Sequence, residues 1–189
     1  MELNNYGAGV FGIKNFITEE ECERMIFTSE QMGYEEAMIQ TGTGMRMYKD
    51  VRNNDRVIFD DKVLAAAIFE RAKLFLPAEL KEWTLLGLNE RFRFYRYEAG
   101  QYFKWHKDGN YARNEDEVSF LTLLIYLNGD YTGGSTSFRW ETIQPEKGMA
   151  LVFPHMMLHQ GAPVESGVKY VLRTDVMYRN TATTDVPAA

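Results

Sequence analysis

A histidine and an aspartate stand two positions apart in the segment FKWHKDGNY, residues 103–111. Two histidines and one carboxylate on one face are a known ligand set for non-heme Fe(II). Because side chains alternate along an extended strand, His106 and Asp108 would lie on the same side of it. The remaining histidines that could complete the set are His155 and His159. Alone, such a pair is more often a coincidence of polar residues, so its interpretation depends on the rest of the chain.

The composition limits the classes of function. A chain of 189 residues with 45% hydrophobic content can bury one full core, and its net charge of -6 gives no general attraction to nucleic acid or to an anionic membrane. We therefore expect neither as a partner. A single cysteine, Cys22, excludes an intrachain disulfide and fits a reducing compartment. The N-terminus lacks the features of a signal peptide, and no run has the length of a membrane span, so a cytoplasmic protein is expected.

Two helices are predicted in the N-terminal half. Thr18 and Glu21 form a capping box ahead of apolar residues at helical spacing. The segment over residues 60–77 has a second helical pattern, begun by aspartate and ended by proline. Residues 1–85 are therefore interpreted as mainly helical. The polar stretch over residues 40–56 is interpreted as an irregular connection that could cover a site.

A different periodicity begins at about residue 90. Short segments rich in β-branched and aromatic residues alternate with glycine- and proline-containing turns. Residues 86–180 are predicted to form an all-β unit, closed as a barrel or sandwich. Because no linker divides the chain, we expect a single domain over residues 1–180, with the helices packed on the sheet. Residues 181–189 are expected to form a flexible tail.

Four ordered segments resemble the 2-oxoglutarate and Fe(II)-dependent dioxygenases of the prolyl 4-hydroxylase type. They are RYEAGQYFKWHKDGNY (96–111), FLTLLIYLNGDYTGGSTSF (120–138), QPEKGMALVFP (144–154) and HQGAPVESGVKY (159–170). The resemblance implies a mainly β fold, a double-stranded β-helix or jelly roll, braced by N-terminal helices. It also implies that Fe(II), 2-oxoglutarate and dioxygen hydroxylate an unactivated C–H bond with release of succinate and CO2, with ascorbate as a candidate reductant.

The same resemblance implies the metal ligands, which are His106, Asp108 and His159. His155 stands four residues before His159 and is the alternative. The spacing in the family favours His159. His155 is then expected to be an exposed loop residue.

The resemblance further implies a basic residue that binds the far carboxylate of 2-oxoglutarate. Lys169 stands at the matching position, and a carboxylate enclosed in a barrel needs such a cation, because an unpaired buried charge is unfavourable. Arg173 shares the strand face of Lys169 and is the competing candidate, unless it pairs with Asp175 or another acid. Three further residues are expected along the same pocket: Tyr97, Thr122 and Tyr126.

The sequence leaves more than one class of substrate open. The resemblance implies a prolyl residue in a peptide or protein, while relatives with this barrel also hydroxylate free amino acids and other small metabolites. A non-catalytic sensor of iron or 2-oxoglutarate would use the same binding residues. A nucleic-acid demethylase would need a basic groove, which an acidic chain of this size does not favour.

Overall fold

The computed structural model describes residues 1–36, 39–41, 44–46 and 51–181. Part of the connection predicted over residues 40–56, and all but the first residue of the tail predicted over residues 181–189, lie outside the described residues. The helices are α1 (Glu19–Met32) and α2 (Lys62–Ala72). The strands, in chain order, are β1 (Glu2–Gly7), β2 (Val10–Lys14), β3 (Glu35–Glu36), β4 (Ile39–Thr41), β5 (Gly44–Arg46), β6 (Asp55–Asp60), β7 (Glu79–Leu80), β8 (Trp83–Leu88), β9 (Arg91–Tyr97), β10 (Phe103–His106), β11 (Ala112–Asn114), β12 (Glu117–Tyr126), β13 (Thr132–Gly133), β14 (Thr136–Phe138), β15 (Thr142–Ile143), β16 (Ala150–Pro154), β17 (His159–Gly161), β18 (Val164–Ser166) and β19 (Lys169–Asn180).

Two antiparallel sheets dominate the fold. The large sheet has 11 strands, with the order β1-β2-β16-β12-β19-β9-β6-β3; β11 adds to β12, and β8 joins β19 and carries β7. The small sheet has four strands in the order β10-β17-β14-β15. The mainly β architecture braced by two helices, the jelly roll that the sequence predicts, is confirmed.

The two faces of the large sheet belong to two separate cores. Leu123 and Ile125 of β12 pack in the core that includes Cys22 of α1 and residues of α2. Tyr126 and Leu124 belong to the second core, on the side of the small sheet. Alternation along an extended strand produces this division, since successive side chains point to opposite faces. The helices therefore cover one face, and the other face is left to form the site.

Both helices begin at the predicted caps. The Thr18 hydroxyl accepts from the Glu21 N–H at 3.2 Å, and the Glu21 carboxylate accepts from the Thr18 N–H at 2.9 Å, which confirms the capping box. The Asp61 side chain accepts a backbone N–H at 2.9 Å and caps α2. The predicted end of α2 at Pro77 is wrong, because the helix ends at Ala72 and hydrogen-bonded turns follow it. Among the described residues, no helix is long and apolar enough to cross a membrane.

The interpretation of residues 1–85 as mainly helical is also wrong. β1 and β2 form a hairpin that extends the large sheet at β16, and β6 pairs with β9. The physical reason is that β1 lies at an edge and leaves most of its side chains exposed or half-buried. Such a strand needs no apolar alternation, so its sequence, ELNNYG, lacks the pattern by which strands are predicted.

Candidate metal and cosubstrate site

A cavity lies between the large and the small sheet. Side chains of β9, β12 and β19 form one wall, and those of β10, β14 and β17 form the other. Its lining residues are Tyr95, Tyr97, Phe103, His106, Asp108, Leu124, Tyr126, Thr136, His159, Gly161, Lys169, Val171 and Arg173. Seven of the eight site residues predicted from the sequence are in this set, and Thr122 is not.

The three predicted metal ligands lie together at this cavity. One ligand atom from each of His106, Asp108 and His159 can be chosen so that all lie within 4.8 Å of one another. His106 and His159 are direct partners across β10 and β17. Asp108 lies beyond the end of β10, where its N–H donates to the His155 carbonyl at 2.8 Å. The expectation that strand alternation alone aligns the pair is therefore wrong, because a loop places Asp108.

The two imidazoles are oriented for metal binding. The Nδ1 of His106 lies 2.7 Å from the Lys104 carbonyl, and the Nδ1 of His159 lies 2.9 Å from the Met157 carbonyl. A carbonyl only accepts, so each Nδ1 carries the proton and each Nε2 keeps a free lone pair. Both Nε2 atoms face Asp108, at 3.7 Å for His106 and 3.8 Å for His159. Burial lowers the pKa of His159 to about 4, so the ring is neutral.

These observations show that the residues present fit Fe(II). Two imidazole nitrogens and a carboxylate oxygen converge from one side, and two histidines with one carboxylate suit a non-heme Fe(II) that keeps open positions. The carbonyl contacts are of the kind that fixes ligand rings before a metal binds.

The Asp108 carboxylate is held from two sides. Arg173 Nη1 donates to Oδ1 at 2.8 Å, and the Thr122 hydroxyl donates to Oδ2 at 2.6 Å. Burial by itself would raise the pKa of Asp108, but the charge of the adjacent Arg173 guanidinium outweighs it and holds the pKa well below its usual range. Thr122 therefore contacts the carboxylate of Asp108 instead of lining the cavity.

Arg173 belongs to a buried ionic network. Its Nη2 donates to Asp175 at 3.2 Å, which is the alternative pairing that the sequence suggests. Asp175 also accepts from Arg93 at 3.3 Å and from Asn89 at 3.4 Å. The charge of Arg173 is thus compensated by two carboxylates, one of them Asp108.

The charge of Lys169, unlike that of Arg173, is not compensated within the described part of the fold. It is 4% exposed, and its ammonium donates to the Gly134 carbonyl at 2.6 Å. The rings of Tyr126 and Tyr97 lie 5.2 Å and 5.6 Å from it. Burial lowers its pKa to about 7, and among the described residues no carboxylate pairs with it. The cavity therefore holds a buried cation that fits the carboxylate of a ligand.

The two predicted tyrosines contribute differently. The hydroxyl of Tyr126 lies 2.8 Å from Thr136 Oγ1. Tyr97 is buried in the second core, where burial raises its pKa to about 12. Both tyrosines line the cavity, and Tyr126 adds a polar group that a bound ligand could reach.

Other lining residues have no counterpart in the prediction. Tyr95 lies two residues before Tyr97 on the same strand face, so alternation could have found it. Phe103 stacks on the ring of His106, with ring centroids 3.4 Å apart. Between Tyr95 and Phe103 lies the guanidinium of Arg52, at 4.4 Å and 4.6 Å from the two rings. This contact depends on tertiary packing and leaves no signal in the sequence.

The prediction for His155 is wrong. Its side chain is 2% exposed instead of lying on an exposed loop. Its two nitrogens lie 2.8 Å from the hydroxyls of Ser119 and Thr122. A polar ring in such a position is retained because hydrogen bonds compensate for its burial.

Comparisons with known proteins agree with this site. Residues 92–174 match the model of the 2OG-Fe(II) oxygenase superfamily. Prolyl 4-hydroxylase 1 of Arabidopsis thaliana is 25% identical over 89% of this chain and 69% of its own length. A PKHD-type hydroxylase of Paraburkholderia phymatum is 32% identical over 58% of this chain, which spans about half (49%) of that relative.

A solved structure is similar over the whole fold. The viral collagen prolyl hydroxylase of Paramecium bursaria chlorella virus-1, in complex with 2OG, has a TM-score of 0.67 and 23% identity, and covers 92% of this chain and 97% of its own. The matched family region, residues 92–174, contains all three residues of the metal cluster and Lys169. Residues 92–174 are therefore similar to the 2OG-Fe(II) oxygenase superfamily, and the chain is an enzyme of this class, with Fe(II) and 2-oxoglutarate as its cofactors.

Proposed function

We propose that the enzyme hydroxylates a prolyl residue in a peptide or protein, with Fe(II) held by His106, Asp108 and His159 and with the far carboxylate of 2-oxoglutarate held by Lys169. The observation that carries the proposal is that two features needed to bind 2-oxoglutarate line the same cavity. A cluster of metal ligands and a buried ammonium without a carboxylate partner among the described residues both line it. A dicarboxylate that binds the metal by one end needs a cation at the other.

The chain's own contribution is binding, orientation and exclusion of water. Bound Fe(II) with 2-oxoglutarate and dioxygen supplies the oxidation, with ascorbate as a candidate reductant. Lys169 and Tyr126 fix the cosubstrate, while Arg173 and Thr122 hold the carboxylate of Asp108 toward the metal. The aromatic walls of the cavity keep water from the reacting C–H bond.

The choice of a prolyl substrate rests on the relatives. Those matched by sequence include a prolyl 4-hydroxylase and PKHD-type hydroxylases, and the similar structure is named a collagen prolyl hydroxylase. A free amino acid or another small metabolite is the alternative substrate, and a non-catalytic sensor is the alternative function.

We propose the cytoplasm as the location of the enzyme. Cys22 is the single cysteine of the chain, and burial raises the pKa of its thiol to about 11. A lone, buried thiol fits a reducing compartment.

The ligand assignment is tested by anaerobic titration of the metal-free protein with Fe(II) and 2-oxoglutarate. The visible metal-to-ligand charge-transfer absorbance of a chelated keto acid should appear in the wild type and be absent in His159→Ala. A matched control is Trp140→Phe, on an exposed ring outside the cavity lining, which should keep the absorbance. An absorbance that survives in His159→Ala would show that the assignment is wrong.

The substrate is tested separately with the iron-loaded enzyme. Proline-containing peptides from a broad library should gain the mass of one oxygen atom at proline, with succinate formed in equal amount. Oxidation of small molecules with every peptide unchanged would favour the metabolite alternative. A protein that binds both cofactors yet forms no succinate, with or without substrate, would favour the sensor.

A further inference from the structure

Four buried side chains form a line behind the metal cluster. Ser119 Oγ lies 2.8 Å from His155 Nε2, and His155 Nδ1 lies 2.8 Å from Thr122 Oγ1. Thr122 Oγ1 lies 2.6 Å from Asp108 Oδ2. Ser119 and Thr122 are 0% exposed, His155 is 2% exposed and Asp108 is 6% exposed, so water does not replace these contacts.

The direction of each hydrogen bond follows from the chemistry of the groups. An ionised carboxylate only accepts, so Thr122 donates its proton to Asp108. The Thr122 oxygen then accepts from Nδ1–H of a neutral His155, which leaves Nε2 to accept from the Ser119 hydroxyl. The Ser119 oxygen in turn accepts from the Tyr111 N–H at 2.8 Å. Every donor in the line has an acceptor, and the line ends on a predicted metal ligand.

The same residues hold both ends of the loop that carries Asp108. At one end the Asp108 N–H donates to the His155 carbonyl at 2.8 Å. At the other end Tyr111 exchanges two hydrogen bonds with Ser119, each of 2.8 Å. The His155 ring lies between these two anchors, because it contacts both Ser119 and Thr122. Since no strand pairing places Asp108, these bonds set the position of its carboxylate.

We propose that His155 is a positioning residue of the metal site, which acts through Thr122 to hold the Asp108 carboxylate in the rotation that faces the two imidazoles. The inference rests on the proposed iron site and adds to it a residue that touches neither metal nor cosubstrate. An apolar side chain could fill the same space, but it would leave the Thr122 oxygen without its donor. The Thr122 hydroxyl could then rotate away from Asp108.

The test compares two variants of equal shape. His155→Asn and His155→Leu have the same branching at Cγ and both lack Nε2, but the amide nitrogen of Asn can take the place of Nδ1 and still donate to Thr122. Binding of Co(II), a redox-inert reporter in air-free buffer, is measured by its visible absorption and by the rise in Tm that it causes. Tyr34→Phe serves as the control, since it removes a 2.8 Å hydrogen bond to Ser29 on α1, away from the cavity.

We expect His155→Leu to weaken Co(II) binding by about 10- to 100-fold, the usual effect of losing a partner of a metal ligand. His155→Asn should stay within about threefold of the wild type by the same measure, because it keeps the donor. Equal Co(II) affinities in the Leu and Asn variants would overturn the proposal and leave His155 a packing residue.

A milder variant keeps the test decisive if His155→Leu does not fold. Thr122→Val removes the hydroxyl through which His155 would act on Asp108, and a measurable loss of Co(II) affinity is then expected, whereas an unchanged affinity would overturn the proposal. Failure of the proposed function has a different signature. If the wild type binds no Co(II), or if His159→Ala binds it equally well, the proposed metal site is wrong. The positioning role of His155 would then be wrong as well.

Discussion

Lys169 and Arg173 are two cations on one face of β19, four residues apart, and their surroundings differ in kind. Arg173 contacts the carboxylates of Asp108 and Asp175 at 2.8 Å and 3.2 Å. Lys169 contacts a carbonyl and lies beside two aromatic rings. Burial would lower the pKa of either cation, yet the pKa of Arg173 is raised while that of Lys169 falls to about 7.

This difference in surroundings indicates which of the two cations is available to bind a ligand. Arg173 already has its compensating charges within the fold, so a bound 2-oxoglutarate would compete with Asp108 for it. Lys169 lacks such a partner in the part of the chain that the structure describes, and a carboxylate would restore its ordinary protonation. Of the two candidates that the sequence leaves open, the contacts favour Lys169. Four predictions test this contrast.

The largest effect on stability is expected from Arg173→Met. It leaves the buried carboxylate of Asp108 without its cation and Asp175 with Arg93 alone, and breaking a buried pair in this way costs about 3–5 kcal/mol of unfolding free energy. Urea denaturation of the metal-free protein measures it. Arg91→Met is the control, because Arg91 pairs with Asp60 at the surface and such pairs contribute about 1 kcal/mol or less. Equal losses in both variants would contradict the importance of the buried network.

Lys169→Met should affect the cosubstrate instead of the fold. Removing one partner of a buried charged pair typically costs about 2–5 kcal/mol, so the affinity for 2-oxoglutarate should fall by about 30-fold or more. The charge-transfer absorbance, followed as 2-oxoglutarate is added to the Fe(II) protein, reports this affinity. Lys14→Met, at a surface pair with Glu146, should leave it unchanged. If Lys169→Met binds 2-oxoglutarate as the wild type does, another residue holds the carboxylate.

The stability of the protein without 2-oxoglutarate should rise with pH. In the unfolded chain Lys169 keeps its proton to its ordinary pKa of 10.5, whereas the folded protein releases it near a pKa of about 7. Between these values the unfolded state binds more protons, so stability increases with pH, by about 2 kcal/mol from pH ~7 to pH ~9. Below this window both states are protonated and the penalty is largest.

Urea denaturation at a series of pH values measures this dependence. The rise should be smaller in Lys169→Met, and saturating 2-oxoglutarate with the metal should also flatten it, because a bound carboxylate keeps the ammonium charged in the fold. A slope that is the same in the wild type and in Lys169→Met would assign the titration to other groups.

The smallest effect is expected from Tyr126→Phe. Its hydroxyl is one hydrogen-bonding group next to Lys169, and such a bond contributes about 1 kcal/mol, which corresponds to about fivefold in the affinity for 2-oxoglutarate. Tyr178→Phe removes a hydroxyl of an equally buried tyrosine that bonds Pro77 and does not line the cavity. That variant should bind 2-oxoglutarate normally, and a similar loss in both would show a general effect on packing.

The sequence predicts those parts of the site and fold that depend on short motifs and on the pattern within a single strand. His106, Asp108 and His159 stand in short motifs, and the structure brings them together as expected. The long strands β12 and β19 also follow from their apolar and aromatic residues. The strands follow from alternation between two faces, whereas the choice of His159 as the third ligand follows from the family resemblance.

The rest depends on contacts between distant segments. His155 is predicted to be an exposed loop residue because the family spacing favours His159 as the ligand, but hydroxyls from β12 make its burial favourable. Asp108 takes its place from a loop anchored to β12 and His155, which no alternation rule describes. The strand β1 escapes prediction because an edge strand has little to bury.

The length and position of β19 have a consequence for how relatives of this enzyme can change over evolution. This one strand of 12 residues carries Lys169, Arg173 and Asp175, and it pairs with β8, β9 and β12. Because side chains alternate with period two, inserting or deleting a single residue within it would turn the far members of this set to the opposite face. New substrates are therefore expected to arise by changes in the connecting segments, while β19 tolerates substitutions but no change in length.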